Sequence, residues 1–215
     1  MARLVARIAG LAVVCAAVVT TAGEPAGAAE GDLDPSFGGS GTVITTIPAV
    51  ANATALALQP DGRVLVAARG IAPDGRSAYP VVVRYEHDGT LDATFGSGGI
   101  AVAGAGLTWS FGAPSLALGS DGTIVVAGAA LQTPSVDLDI AVARLRPDGS
   151  LDAAFGSGGA AVIDLGTSGD FAMSVGVQPN GRIVVTGGAG SPSASLSSAS
   201  PGTARSTRRS GWGAP

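Results

Sequence analysis

The chain contains no lysine, and its 215 residues include one cysteine and one histidine. The cysteine, Cys15, lies in an apolar N-terminal run and is expected to leave with it. The remaining chain then has no disulfide framework, no thiol nucleophile and no thiolate-bound metal. Twelve arginines face 16 acidic residues, and the arginines are scattered. Without a basic stripe to track a phosphate backbone, nucleic acid is excluded as the expected partner. After the N-terminus no apolar run approaches the ~20 residues of a membrane-spanning helix, so no transmembrane span is expected in the mature chain.

The N-terminus, by contrast, has the layout of a secretory signal peptide over residues 1–29. Arg3 and Arg7 supply the positive end, Ile8 to Val19 the short apolar stretch, and Ala26-Gly27-Ala28 the small-residue cleavage pattern. Setting aside Arg3, Arg7 and Glu24 leaves 10 arginines against 15 acidic residues, a net charge of −5. The expected location is secreted, extracellular or at the cell surface. The lysine-free, Ala/Gly/Arg-rich composition suggests a GC-rich bacterial source.

Three near-copies of one phrase come next: Leu33-Asp-Pro-Ser-Phe-Gly-Gly-Ser-Gly41, Leu91-Asp-Ala-Thr-Phe-Gly-Ser-Gly-Gly99 and Leu151-Asp-Ala-Ala-Phe-Gly-Ser-Gly-Gly159. They begin 58 and then 60 residues apart, a fixed period that marks a repeat architecture. Three units are expected over residues 30–190, at about 30–87, 88–147 and 148–190. Each unit after its phrase reads as short β-branched runs, for example Gly41 to Ile47, Ala53 to Gln59, Arg63 to Ala68 and Tyr79 to Tyr85 in the first. A tight Asp-Gly or Asn-Gly turn separates the second and third runs, at Asp61-Gly62, Asp121-Gly122 and Asn180-Gly181. The small–large alternation of Ala55-Leu56-Ala57-Leu58 and Ser174-Val175-Gly176-Val177 predicts sheets buried on both faces. The expected fold is therefore all-β: a partial β-propeller of about three four-stranded antiparallel blades, the last incomplete. Leu91/Phe95 and Leu151/Phe155 are expected to be apolar pegs between blades.

The combination of Asp-Gly-x-Leu-Asp-x-x-Phe-Gly-x-x-Gly, Asp/Asn-Gly-Arg-x-x-Val and Val-x-Arg-Tyr/Leu resembles the delta-60 repeat family, a bacterial β-propeller-type repeat of unknown function. The resemblance covers about Glu30 to Gly190, with Glu30-Gly31 standing where later units have Asp-Gly. It implies a propeller in a secreted or surface protein and carries no catalytic residues.

The third unit departs from the pattern after Gly190. Residues 191–215 are rich in serine, proline and then arginine, and are expected to be a disordered tail. Read in a shifted frame, codons compatible with Thr203 to Gly211 can spell Gly-Ser-Leu-Asp-Ala-Ala-Phe-Gly, the string at Gly149 to Gly156. A frameshift between about Gly190 and Ser197, and with it a truncated product, is therefore expected.

Candidate chemistry is sparse. His87, in Glu86-His87-Asp88-Gly89, is expected to be an exposed turn residue. Trp109 is expected to pack at an edge, with an exposed stacking role as the alternative. The acids that recur at the unit junctions, Asp88 with Asp92, Asp148 with Asp152, and Asp32 with Asp34, are the candidate calcium ligands. An Asp before Gly is explained by turn chemistry alone and an Asp after Leu by capping of local amides, and turn and cap are the favoured reading over calcium. No catalytic or cofactor-binding residue is expected. The favoured function is a non-catalytic binding or surface-structural module whose partner is an extracellular ligand or another copy of itself. The alternatives are a fragment of a propeller-type hydrolase or lyase with its site in missing blades, and a nonfunctional truncated product.

Overall fold

The computed structural model describes residues 31–72, 77–104, 106–110, 113–132, 137–167 and 169–190. It also describes the strand backbones at Val5–Ala9 (β1), Ala12–Ala16 (β2), Ser191–Ser200 and Thr203–Ala204. Val43–Thr46 (β3) pairs antiparallel with β2, which pairs with β1. The rest of the expected signal peptide, and of the expected disordered tail, lies outside the described residues.

From Val50 onward the turn signals organise the chain into antiparallel sheets. Val50–Leu58 (β4), Val64–Ile71 (β5), Ala78–Tyr85 (β6) and Ile100–Val102 (β7) form the first four-stranded blade. Thr108–Trp109 (β8) lies in the connection that leads to the second. That second blade consists of Ser115–Leu118 (β9), Ile124–Gln132 (β10), Asp137–Leu145 (β11) and Ala160–Ile163 (β12). Phe171–Val177 (β13) and Ile183–Ala189 (β14) begin the third, with Ser191–Ser200 (β15) paired to β14 and Thr203–Ala204 (β16) to β15. In each complete blade the fourth strand comes from the start of the next sequence unit. The blade is thus offset by one strand from the unit as it appears in sequence, where the run after each phrase is expected to open its own blade. The fourth strand pairs with the strand before the phrase and not with a strand of its own unit, because the Leu-Asp-x-x-Phe-Gly turn folds it back.

Alternation along the second and third strands explains the stacking. Val64, Val66 and Ala68 face one cluster, together with Phe37, Val81, Val83 and Tyr85. Leu65, Ala67 and Phe95, the last from the turn between β6 and β7, face the opposite one, which they share with Leu116, Ile124 and Val126 of the neighbouring blade. Val125, Ala127, Ile140, Val142 and Phe155 then meet Ile183 and Val185 of the third blade. A strand with period-two geometry and two buried faces reads as a near-continuous apolar run. Each Val, Leu, Ile or Phe so buried contributes roughly 1.5–3 kcal/mol. The doubly buried strands are β5, β6, β10 and β11. The first strand of a blade is less enclosed than its small–large alternation predicts: Ala55, Leu56 and Ala57 are half-buried and Leu58 is exposed. These first strands, β4, β9 and β13, one from each blade, pack beside one another along one edge of the stack. Their alternating small side chains allow that close approach.

The chain passes from the last strand of the first blade to the first strand of the second through 103–114. Trp109 anchors this connection. It is buried, its Nε1 donates to the Gly104 carbonyl at 3.0 Å, and its backbone pairs with Ala130 and Ala78. The packed position expected for this residue is the one observed, and the exposed alternative is not.

Candidate functional site

The repeated phrase folds as a fastener. In Asp92-Ala93-Thr94-Phe95, Asp92 Oδ1 accepts from the Thr94 amide (2.9 Å) and hydroxyl (2.6 Å), closing a tight turn. Its Oδ2 accepts from Arg84 Nε at 2.7 Å. The Arg84 guanidinium lies over the Phe95 ring, 4.4 Å from its centroid, and donates to the Pro147 carbonyl of the next unit at 2.6 Å. The second junction repeats the arrangement: Arg144 Nε donates to Asp152 Oδ2 at 2.7 Å and its guanidinium sits 4.7 Å from the Phe155 centroid. Arg84 and Arg144 occupy the same place in their strands, which is why Val-x-Arg and Leu-Asp-x-x-Phe occur together in sequence.

The phenylalanine then reaches the next turn. Gly96 donates its amide to the Asp148 carbonyl at 2.8 Å, as Gly38 does to Asp88. Gly149 has φ of +88°, and a Cβ there would lie 2.9 Å from the Phe95 ring and 3.0 Å from the Gly96 nitrogen. Only glycine permits both the turn and the approach. The pegs are therefore Phe37, Phe95 and Phe155, all buried, whereas Leu91 is 36% exposed and Leu33 44%. The leucines, expected to share that role, do so only in part.

Asp88 and Asp148 have turn partners as well. Asp88 Oδ1 accepts from the Thr90 amide and hydroxyl at 2.9 and 2.7 Å, and Asp148 Oδ1 from those of Ser150 at 2.8 and 2.7 Å. Asp34 Oδ1 takes the equivalent pair from Ser36. His87 is exposed. These hydrogen bonds to the charged form hold the Asp88 and Asp148 carboxyls below the usual range. For Asp92 burial pushes upward, but the Thr94 hydrogen bonds and the Arg84 charge outweigh it, so its carboxyl also lies low. A depressed folded-state value gives stability that is present above the unfolded pKa, about 3.9, and lost as pH falls through the folded one. Unfolding midpoints in urea are accordingly expected to drop between about pH 5 and pH 3. Asp92→Asn should flatten that drop, and an unchanged slope in this variant would remove Asp92 from the acid response.

A different acidic group emerges where the second blade meets the third. Among the described residues, the carboxylate oxygens of Asp139, Asp164 and Asp170 lie within 4.8 Å of one another. Ile140 pairs with Ile163 across β11 and β12, so Asp139 and Asp164 are the next residues along that antiparallel register. Asp170 is fully buried, and its amide donates to the Leu138 carbonyl at 2.6 Å. Burial, reinforced by the charges of Asp164, Asp137 and Asp170, pushes the Asp139 carboxyl up. None of these acids stands out in the sequence by spacing or motif. The available signal is Asp137-Leu138-Asp139, two acids on one side of a strand whose first-blade counterpart, Ser77-Ala78-Tyr79, has none. Between the same blades an open groove of about 350 Å³ is lined by Ser110, Leu138, Phe171 and Met173 among others, with Met173 70% exposed.

No helix among the described residues is long and apolar enough to cross a membrane. No curated protein matches the chain. Two segments, residues 59–95 and 119–155, match the family model described as a domain of unknown function (DUF5122) beta-propeller. Each matched segment starts at the hairpin turn between the first and second strands of a blade and ends on its phenylalanine peg. With antiparallel blades stacked face to face and strands exchanged between successive units, the chain has an all-β, β-propeller-type fold, and its residues 59–95 and 119–155 are similar to the repeats that this model describes.

Proposed function

We propose that the chain is a secreted, non-catalytic propeller module of the delta-60 type that acts by binding an extracellular ligand or by building surface structure. The observation that carries this reading is the use made of its charged residues. At both junctions the recurring Arg and Asp side chains hold blades together and are turned toward the protein rather than toward a cleft. Among the described residues, those lining the open groove between the second and third blades are mostly apolar and include no paired acid and base of the kind that hydrolysis or elimination needs. The composition supports the same view, with a single, exposed histidine and no lysine.

Expression of the full gene in a bacterium with an intact secretion pathway tests the proposal. The expected product is found in the medium or on the cell surface, with a mature N-terminus near residue 29 by mass spectrometry. It is inert toward panels of glycoside, ester and uronate substrates. Retention in the cytoplasm with Met1 intact would sink the secretion half, and turnover that survives repurification would sink the non-catalytic half.

A further inference from the structure

The acidic group between the second and third blades has no role in the Arg–Asp–Phe junctions. Each of its members replaces an uncharged residue of the first blade: Asp139 stands at the position of Tyr79, Asp164 at that of Gly104 and Asp170 at that of Ser110. In the first blade the space beside Gly104 is filled by Tyr79, whose Cβ would lie 3.5 Å from an added glycine Cβ. In the second, three carboxylates share the corresponding place. Like charges opposite each other on paired strands are destabilising, and the described ion pairs do not reach any of the three.

Local hydrogen bonds nonetheless engage two of the three carboxylates. Asp164 Oδ1 accepts from the Gly166 amide at 2.5 Å. Asp170 accepts from the Leu165 amide at 2.9 Å and the Thr167 hydroxyl at 2.5 Å. Nearby Asp137 accepts from the Gly169 amide at 3.0 Å and adds a further negative charge. Asp139 is the exception. It is only 6% exposed, and its Oδ1 has no hydrogen-bond partner among the described residues. A buried carboxylate is ordinarily paired or bound to a metal, because leaving it bare costs several kcal/mol. Here its neighbours are two more carboxylates.

We propose that Asp139, Asp164 and Asp170 bind one divalent cation of the calcium type, which fastens the connection 164–170 to the second blade. Oxygens that all lie within 4.8 Å of one another can share an ion at about 2.4 Å, the calcium–oxygen distance. The donor set is purely carboxylate, which suits a hard cation and disfavours zinc or copper. Asp164 is exposed, so water can reach the site and complete a six- to eight-fold shell. The ion would do for the second connection what the buried Trp109 does for the first.

Calorimetric titration of the full chain with calcium chloride, after treatment with a chelator, tests the assignment. One ion per chain is expected, with a dissociation constant of about 10⁻⁴–10⁻³ M, the range of extracellular modules. Asp139→Asn and Asp164→Asn, made separately so that one poorly folded variant does not decide the matter, should each weaken binding at least tenfold. Both should also lose the calcium-induced rise in melting temperature. Asp88→Asn and Asp148→Asn should leave binding unchanged. Absence of calcium binding by the wild-type chain would overturn the proposal in favour of carboxyls that share a proton. Binding that survives both Asp139→Asn and Asp164→Asn, or that is lost in Asp88→Asn, would overturn it in favour of the junction acids.

Discussion

Phe95→Ala is expected to lower the unfolding free energy by about 3–5 kcal/mol, among the largest effects available to a single substitution in this chain. The ring is fully buried, sits in the cluster shared by the first and second blades, and is covered by Arg84 on one side and Gly149 on the other. Truncation therefore removes apolar contacts from two blades at once and leaves a cavity bounded by apolar side chains of both blades and by the Gly149 turn. Collapse into it would require Gly96 to give up its 2.8 Å hydrogen bond to Asp148. Leu91→Ala, four residues earlier in the same phrase, removes a side chain already 36% exposed and should cost less than half as much. Urea unfolding followed by far-ultraviolet circular dichroism measures both. Equal losses at the two positions would mean that the phrase acts as a general apolar plug and not through its phenylalanine.

The second large effect is expected at Arg84. Arg84→Ala strips Asp92 of its closest charge partner while Asp92 remains buried, and breaking such a pair costs about 3–5 kcal/mol. The lower end is expected here, because Arg63 Nε is also within 3.3 Å of Asp92 and compensates in part. Arg84→Lys should recover only a fraction. An ammonium can meet Asp92, but it lacks the planar fork that simultaneously reaches Asp92, lies on the Phe95 ring and donates to Pro147. Combining Arg84→Ala with Asp92→Asn tests the cause. If the cost comes from an uncompensated carboxylate, the double variant will be more stable than Arg84→Ala alone. If the double variant is no more stable, the lost packing of the arginine stem is what matters.

The features legible in the sequence are local ones. The Asp-Gly turns, the β-branched runs and the Leu-Asp-x-x-Phe-Gly phrase are each specified by a few adjacent residues. Turn chemistry at Asp88 and Asp148 follows from the Thr or Ser two positions on. The blade's phase is not legible, because Ile100–Val102 looks the same whether it opens one sheet or closes another. Only its pairing with Val81, Val82 and Val83 decides. The small–large alternation of Ala55 to Leu58 signals close approach correctly but not depth, since half-burial beside a neighbouring first strand leaves the same imprint as full burial. The acidic group is invisible for a related reason. Asp139, Asp164 and Asp170 are separated by up to 31 residues, and each taken singly is an ordinary polar residue near a strand end.

The exchange of strands between units also bears on how such a chain can lengthen. Because each complete blade is stitched from two consecutive units, the interior of the array is cyclically equivalent. A tandem duplication of one whole period, about 60 residues, restores complete pairing wherever within the period its breakpoint falls. Recombination need not find a domain boundary, and a gain or loss of anything other than a whole period leaves one sheet short of an edge.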